Sequence, residues 1–422
     1  MDVSKAEVLQ ILNFRRDLHQ RAETAFNEWQ TFDYILNVLK DVKGEFSFLN
    51  ENDLKAFFNK VPLSCRYQSK KNTQSPIPAF KLTFKLGIGK HIAIRCDMDG
   101  LPIKESEDPE HLPYKLGFRS QKNMHACAHD GHMAISLAVI LWINANLDKL
   151  QNQGLGALSF IFQCGEEGCK GAQIITASTW LLDIDEIYGY HLGMGLPSGY
   201  IATHVDNFLA TLKFKLDFYG RKAHAGKFYE GLNALSPLCY VIDNALKLIN
   251  KDRQLLVNFS NVEVPGSSNI IPDRASCVGE IRAKNIEDLE FLEQELQTVI
   301  QKSGVEIVTQ APLGDIQKVC LVKTISGKGI PIKNSLNTLE QLNKALKISN
   351  IRDYGQTFSF KASEDCSLLI DKIQNLGGSG AYFVIGSDIK APHHHSAFDF
   401  DEDSLILGFK FLKALILSYI QP

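Results

Sequence analysis

The sequence carries no excess of charge of either sign: 45 Lys and Arg against 48 Asp and Glu leave a formal net charge of -3. Without a basic surplus there is no electrostatic footprint for nucleic acid. No apolar run reaches the roughly 18 residues that a membrane span needs. The opening "MDVSKAEVLQILNFRRDLHQ" mixes charges into a helical period, unlike a secretory leader. The nine cysteines are odd in number and scattered, with no CxxC pair, which argues against a disulfide framework and fits a reducing, cytoplasmic setting. HExxH, GxSxG and GxxxxGK[ST] are all missing, so the common zincin, serine-hydrolase and phosphate-loop signatures do not apply. The "GGSG" at 377–380 reads as a tight backbone approach in a substrate pocket rather than a phosphate loop.

What is present is 422 residues, 45% of them hydrophobic, enough for two cores. Four short apolar runs read as buried strands, and each ends in polar residues. "HIAIRCDMD" ends in Asp97 and Asp99, "ALSFIFQCGEE" in Glu166 and Glu167, "EIYGYH" in His191, and "AYFVIGSDIKAPHHH" in His393 to His395. Helical patterns alternate with them, including the apolar stretch Ala134 to Ile143, as in a doubly wound α/β sheet. Ligands in such sheets sit beyond the carboxyl ends of the strands, so the four polar ends should converge. The middle of the chain differs: Phe208 to Phe218 alternates apolar and polar, a half-buried strand. The order strand-helix-strand-strand-helix-strand that follows, closed by "VEIVTQ", is ferredoxin-like. It spans 207–317 and is inserted into a unit formed by 1–206 and 318–422. The run "SKKNTQSPIP" at 69–78 breaks periodicity and reads as a surface excursion.

The densest chemistry is "MHACAHDGHMA", Met124 to Ala134. Cys127 and His129 are two apart, a spacing that faces one way in extended chain but not in a helix, so both should precede the helix, with Asp130 capping it. Thiolate and imidazole suit zinc or another borderline divalent metal. Glu167 and His191 would complete the shell, and one of His393, His394 and His395 would close it or hold a second metal. Neighbouring extended residues point apart, so Glu167 can ligate while Glu166 faces the attacking water as base. His125 and His132 read as supporting residues.

Eight ordered blocks, among them "RCDMDGLPI", "MHACAHDGHMA", "FIFQCGEEGCKGA", "AHAGKFYEGLNAL", "NIIPDRASCVGEIRA" and "HHHSAFDFDEDSL", resemble the metal-dependent aminoacylase and carboxypeptidase family. Within it they are most similar to the amidohydrolase branch of N-acyl amino acid and auxin-conjugate hydrolases. The resemblance implies a large metallopeptidase-like catalytic domain, a central mixed sheet flanked by helices, plus an inserted α+β dimerisation or lid domain. It implies two divalent metal ions, zinc or manganese, with Cys127 bridging, His129, Glu167, His191 and His394 as further ligands, and Glu166 as general base. His224 would reach a partner subunit's site, and Asn269 and Arg282 would contact the substrate, Arg282 through its carboxylate. A homodimer through the inserted domain is implied, with room for a homologous second subunit. The implied reaction is cleavage of N-acyl or N-aroyl amino acids, p-aminobenzoyl-glutamate being the favoured example. The alternatives are a deacetylase, a dipeptidase and an inactive metal-binding or regulatory subunit. The chain departs from the family pattern at Ala128, where glycine is usual, at Cys164-Gly165, where proline and alanine are usual, and in lacking a proline after "AHAG".

Overall fold

The computed structural model describes residues 3–52, 54 and 75–420. A mixed eight-stranded sheet forms the larger unit, in the order Glu45–Phe48, Phe80–Lys85, Leu155–Gln163, Lys90–Asp97, Glu186–Leu192, Ser379–Ile385, Tyr200–Ala202 and Arg352–Asp353. The four central strands, Leu155–Gln163 through Ser379–Ile385, are parallel neighbours. Both of their faces are covered, which is why they read as nearly continuous apolar runs. Adjacent residues of one strand show the two layers. Gly189 lies against the helix Cys366–Asn375, so close that a Cβ would stand 2.6 Å from the Cys366 Sγ. Tyr190 points the other way, its hydroxyl donating to the carbonyl of His132 at 2.8 Å in the helix His129–Ala145. The helices Lys5–His19 and Asp403–Leu417 pack on that same helix. Among the described residues, no helix is long and apolar enough to cross a membrane.

A second, five-stranded sheet runs in the order Leu256–Glu263, Arg274–Ala283, Ala210–Tyr219, Cys320–Gly329 and Glu306–Ile307. Leu212, Phe214, Leu216 and Phe218 point to one face and form a separate core with Leu238 and Val241 of the helix Leu235–Leu246 and with Leu292 and Leu296 of the helix Ile286–Lys302. Each such buried side chain stabilises the layer by roughly 1.5–3 kcal/mol. The fourth full strand is Cys320–Gly329, paired with Ala210–Tyr219, while "VEIVTQ" supplies only the two-residue edge Glu306–Ile307. The sheet therefore continues beyond residue 317, with Glu306–Ile307 exposed at its edge while Val305 packs on the core.

Four further expectations need correction. The helix begins at His129, so only Cys127 precedes it, and Ala128 occupies the N-cap position in the left-handed region (φ 64°, ψ 16°). Asp130 caps nothing, because Arg15 and His19 draw its carboxylate away at 3.3 and 2.9 Å. The glycines at 377–380 do make close backbone approaches, but at the amino end of Ser379–Ile385, with Gly378 against the carbonyl of Asp185, opposite to the pocket. Of the expected excursion at 69–78, residues 69–74 lie outside the described residues; its end is not on the surface, since Ser75 and Ile77 are buried.

Candidate metal centre and active site

The carboxyl ends of the parallel strands meet as the sheet rule requires. Just beyond Lys90–Asp97, Asp99 makes three contacts. Its carboxylate accepts the backbone N–H groups of Glu166 and Glu167, each at 3.0 Å, and its carbonyl accepts the Nδ1–H of His129 at 2.7 Å. His191 likewise donates Nδ1–H to the carbonyl of Leu192 at 2.8 Å. Both imidazoles therefore present Nε2 to the site, the arrangement a metal-ligating histidine needs. The left-handed turn at Ala128 lets Cys127 and His129 converge although they are two residues apart.

Five donor groups have their ligating atoms within 4.8 Å of one another among the described residues, and two of them share Cys127: Cys127, His129 and His191, and Cys127, Glu167 and His394. Cys127 belongs to both, its Sγ lying 3.5 Å from His191 Nε2. Of the three C-terminal histidines, His394 faces this set, with Nε2 3.3 Å from Glu167. Its N–H is held by the carbonyl of Ala126 at 2.9 Å. His393 turns to the carbonyl of Leu192, and His395 accepts the N–H of Ala397 within its own turn.

The donor set fits a cation. His129 Nε2 and Glu167 Oε1 are buried with no hydrogen-bond partner among the described residues. Burial pushes the Cys127 thiol well up, reinforced by Glu167. It also raises the Glu166 carboxyl well above the usual range, helped by Glu364 and Glu167, and lifts Glu167 to about 7 against the pull of His129. The groups share a shortage of positive charge, which a divalent ion would relieve. Left-handed backbone at Ala128, Cys169, Met194 and His394 gathers around the same place, a concentration of strain typical of functional sites.

Behind the donors lies a buried ionic cluster. Arg95 donates to Asp97 at 2.6 Å, Asp365 at 2.9 Å and the Gln163 side chain at 3.0 Å, and stands 3.2 Å from Glu364. Asp97 in turn accepts His132 Nδ1–H at 2.6 Å, and His132 Nε2 accepts the N–H of Leu192 at 3.0 Å. His132 is thus a supporting residue as anticipated; His125 is buried with both ring nitrogens unpartnered among the described residues. The roles of Arg95, Glu364 and Asp365 were missed, although a charge inside a strand buried on both faces signals that partners must await it.

A cavity of about 180 Å³ opens over the donors. Its far wall comes from the second sheet, through Lys213 and Arg282, with Met194, Phe360 and Ala362 as apolar lining. His224 and Asn269 do not line it. They are exposed neighbours in the smaller unit, where His224 pairs with Ile270 and the carbonyl of Asn269 accepts the N–H of Ala225 at 2.9 Å.

Residues 93–418 match the model of Peptidase family M20/M25/M40. The chain belongs to this family. The span matched in this M20 chain contains every donor just described, from Asp97 to His394. Over 333 residues the chain is 30% identical to a Haemophilus influenzae homolog of one subunit of p-aminobenzoyl-glutamate hydrolase, covering 78% of this chain and 75% of the relative. It is 27% identical to the indole-3-acetyl-aspartic acid hydrolase of Enterobacter agglomerans, over 97% and 96% of the two chains. The Bacillus subtilis YXEP protein, described as a dinuclear metal binding peptidase of the M20 family, shares the fold. Its TM-score is 0.67 at 22% identity, with 98% of each chain covered.

Proposed function

We propose that the chain is a metal-dependent amidohydrolase that cleaves the amide bond of N-acyl or N-aroyl amino acids, with p-aminobenzoyl-glutamate as the favoured substrate. The observation that carries this is the sharing of Cys127 by two donor groups beside Glu166. The names of the Haemophilus and Enterobacter relatives, both hydrolases of such amides, and the dinuclear description of the Bacillus protein support it.

Cys127, His129 and His191 would hold one divalent ion and Cys127, Glu167 and His394 a second, zinc or manganese, with Cys127 bridging. Such ions supply polarisation of the amide carbonyl and a water acidic enough to ionise near neutral pH. Glu166 takes the proton from the attacking water and hands it to the leaving nitrogen. Burial holds its carboxyl well above the usual range, so it serves as base only with positive charge beside it. Arg282 receives the substrate carboxylate through its planar fork.

His224 and Asn269, exposed side by side, would complete the site of a partner subunit, His224 stabilising the oxyanion. The unit that carries them, 207–317 together with the strand Cys320–Gly329, then serves as dimerisation lid in a homodimer. The exposed Phe228 and Tyr229 next to His224 fit an interface. The Haemophilus relative is named for one subunit of its hydrolase, which supports a further partner in the form of a second, homologous chain. The described cysteines are all free, which suits a cytoplasmic setting.

Protein reconstituted with zinc or manganese should release glutamate from p-aminobenzoyl-glutamate. Glu166→Gln should keep both metals and lose about 10²- to 10⁴-fold in kcat. Wild-type protein carrying two metals yet inert on a broad panel of N-acyl amino acids would sink the reading.

A further inference from the structure

Lys213 lies directly opposite Glu280 in the ladder between Ala210–Tyr219 and Arg274–Ala283, on the face away from the helices. Cross-strand partners of opposite charge ordinarily pair. Here they do not. Glu280 accepts the Thr211 hydroxyl at 2.9 Å and stands 3.0 Å from Arg282 Nε, turned away from Lys213. The Lys213 ammonium donates to the carbonyl of Glu167 at 2.7 Å, and no carboxylate among the described residues lies within ion-pair distance of it. Burial opposes its charge while Cys169, Glu280 and Glu166, all beyond ion-pair distance, favour it, so the ammonium stays charged with one of its three donors filled among the described residues. Two donors of a charged side chain that lines the cavity are thus left for a group that enters it. Arg282 borders the same cavity with its Nε held by Glu280, so of the two cations there Lys213 is the one without a close carboxylate among the described residues.

We propose that Lys213 is a specificity residue that receives the side-chain carboxylate of a dicarboxylic amino acid, while Arg282 takes the α-carboxylate; this rests on the amidohydrolase reading above. The division follows from shape. The guanidinium fork matches a fixed α-carboxylate bidentately, whereas the ammonium is a point charge on a flexible stem that tolerates side chains of different length. The cavity should accordingly favour amides of glutamate and aspartate over those of their uncharged amides.

The test compares p-aminobenzoyl-glutamate with p-aminobenzoyl-glutamine, which has nearly the same shape without the second charge. Wild-type enzyme should prefer glutamate by about 10- to 100-fold in kcat/KM, the range expected of one charge-assisted contact. Lys213→Met should abolish most of that preference, chiefly through a raised KM for the glutamate substrate, and Lys213→Arg should restore part of it. If Lys213 only ties the two units together through Glu167, both substrates fall by one factor and the ratio stands, which overturns the assignment. Should Lys213→Met fail to fold, the wild-type ratio decides, and a value near one overturns it. Turnover of neither substrate by metal-loaded wild-type protein defeats the amidohydrolase reading and this one together, whereas turnover without preference defeats only this one.

Discussion

Asp99 holds Glu167 by the main chain rather than by the side chain: its carboxylate accepts the Glu167 N–H, and also that of Glu166, at 3.0 Å. Its carbonyl meanwhile fixes the His129 ring at 2.7 Å. One residue thus sets the position of one candidate ligand, the orientation of another and the placing of the candidate base. Asp99→Ala leaves two N–H groups at the strand end without their acceptor, a cost of about 1–3 kcal/mol. It should also weaken metal affinity by roughly 10- to 100-fold, as loss of a supporting contact does elsewhere. Chelator competition and urea unfolding measure the two effects. Wild-type metal affinity in the variant would show that the loop holds its shape without Asp99.

The pH dependence of stability should report on His19. Its ring lies between Asp130 and Glu105, each 2.9 Å away, and although burial opposes the charge these two carboxylates raise its pKa to about 9. A raised folded-state value means that the stabilisation is fully present below the unfolded value near 6.5 and is lost as pH rises through about 9. The difference between about 9 and 6.5 corresponds to roughly 3 kcal/mol. Urea denaturation from pH 6 to 10 should show that loss in wild type and a flatter profile in His19→Gln. Parallel profiles for the two proteins would place the charge elsewhere.

Much of the site was legible because a buried strand exposes its function at its end. Asp99, Glu166, Glu167 and His191 each stand at the end of an apolar run, and the parallel sheet brings the run ends together, with Cys127 just before the apolar helix that packs on them. From spacing alone the loop of three histidines was not legible to the residue, and only the family resemblance pointed to His394. Which of them turns inward depends on the left-handed backbone of His394 and its bond to Ala126, which no spacing encodes. Asp130 was misread because an aspartate at the start of a helix has a local use, capping. The carboxylate instead satisfies Arg15 and His19, both more than 110 residues away in sequence. Lys213 was invisible for the same reason: in sequence it is one more polar position on a half-wet strand, and only the fold shows Glu280 bound to Thr211 and Arg282 instead of to it.

Ala128 is where the fold meets its own departure from the family pattern. It is fully buried at φ 64°, between Cys127 and His129. An L-residue in this region costs roughly 1–2 kcal/mol that glycine does not incur. Ala128→Gly relieves that strain but gives up a buried methyl, worth about 0.8 kcal/mol, and loosens the unfolded chain by about 0.4–1 kcal/mol. The contributions nearly cancel, so stability should change by less than about 1 kcal/mol and metal affinity should be kept. Ala128→Val is the opposite case. A β-branched residue is a genuine outlier at positive φ, and two added methyls have no room in a fully buried position. Together these should cost about 3 kcal/mol or more and pull Cys127 and His129 out of register, with loss of metal. Metal content after dialysis, read beside thermal unfolding, separates the variants. If valine retains both metals as tightly as wild type, the left-handed turn is not what brings the thiol and the imidazole together.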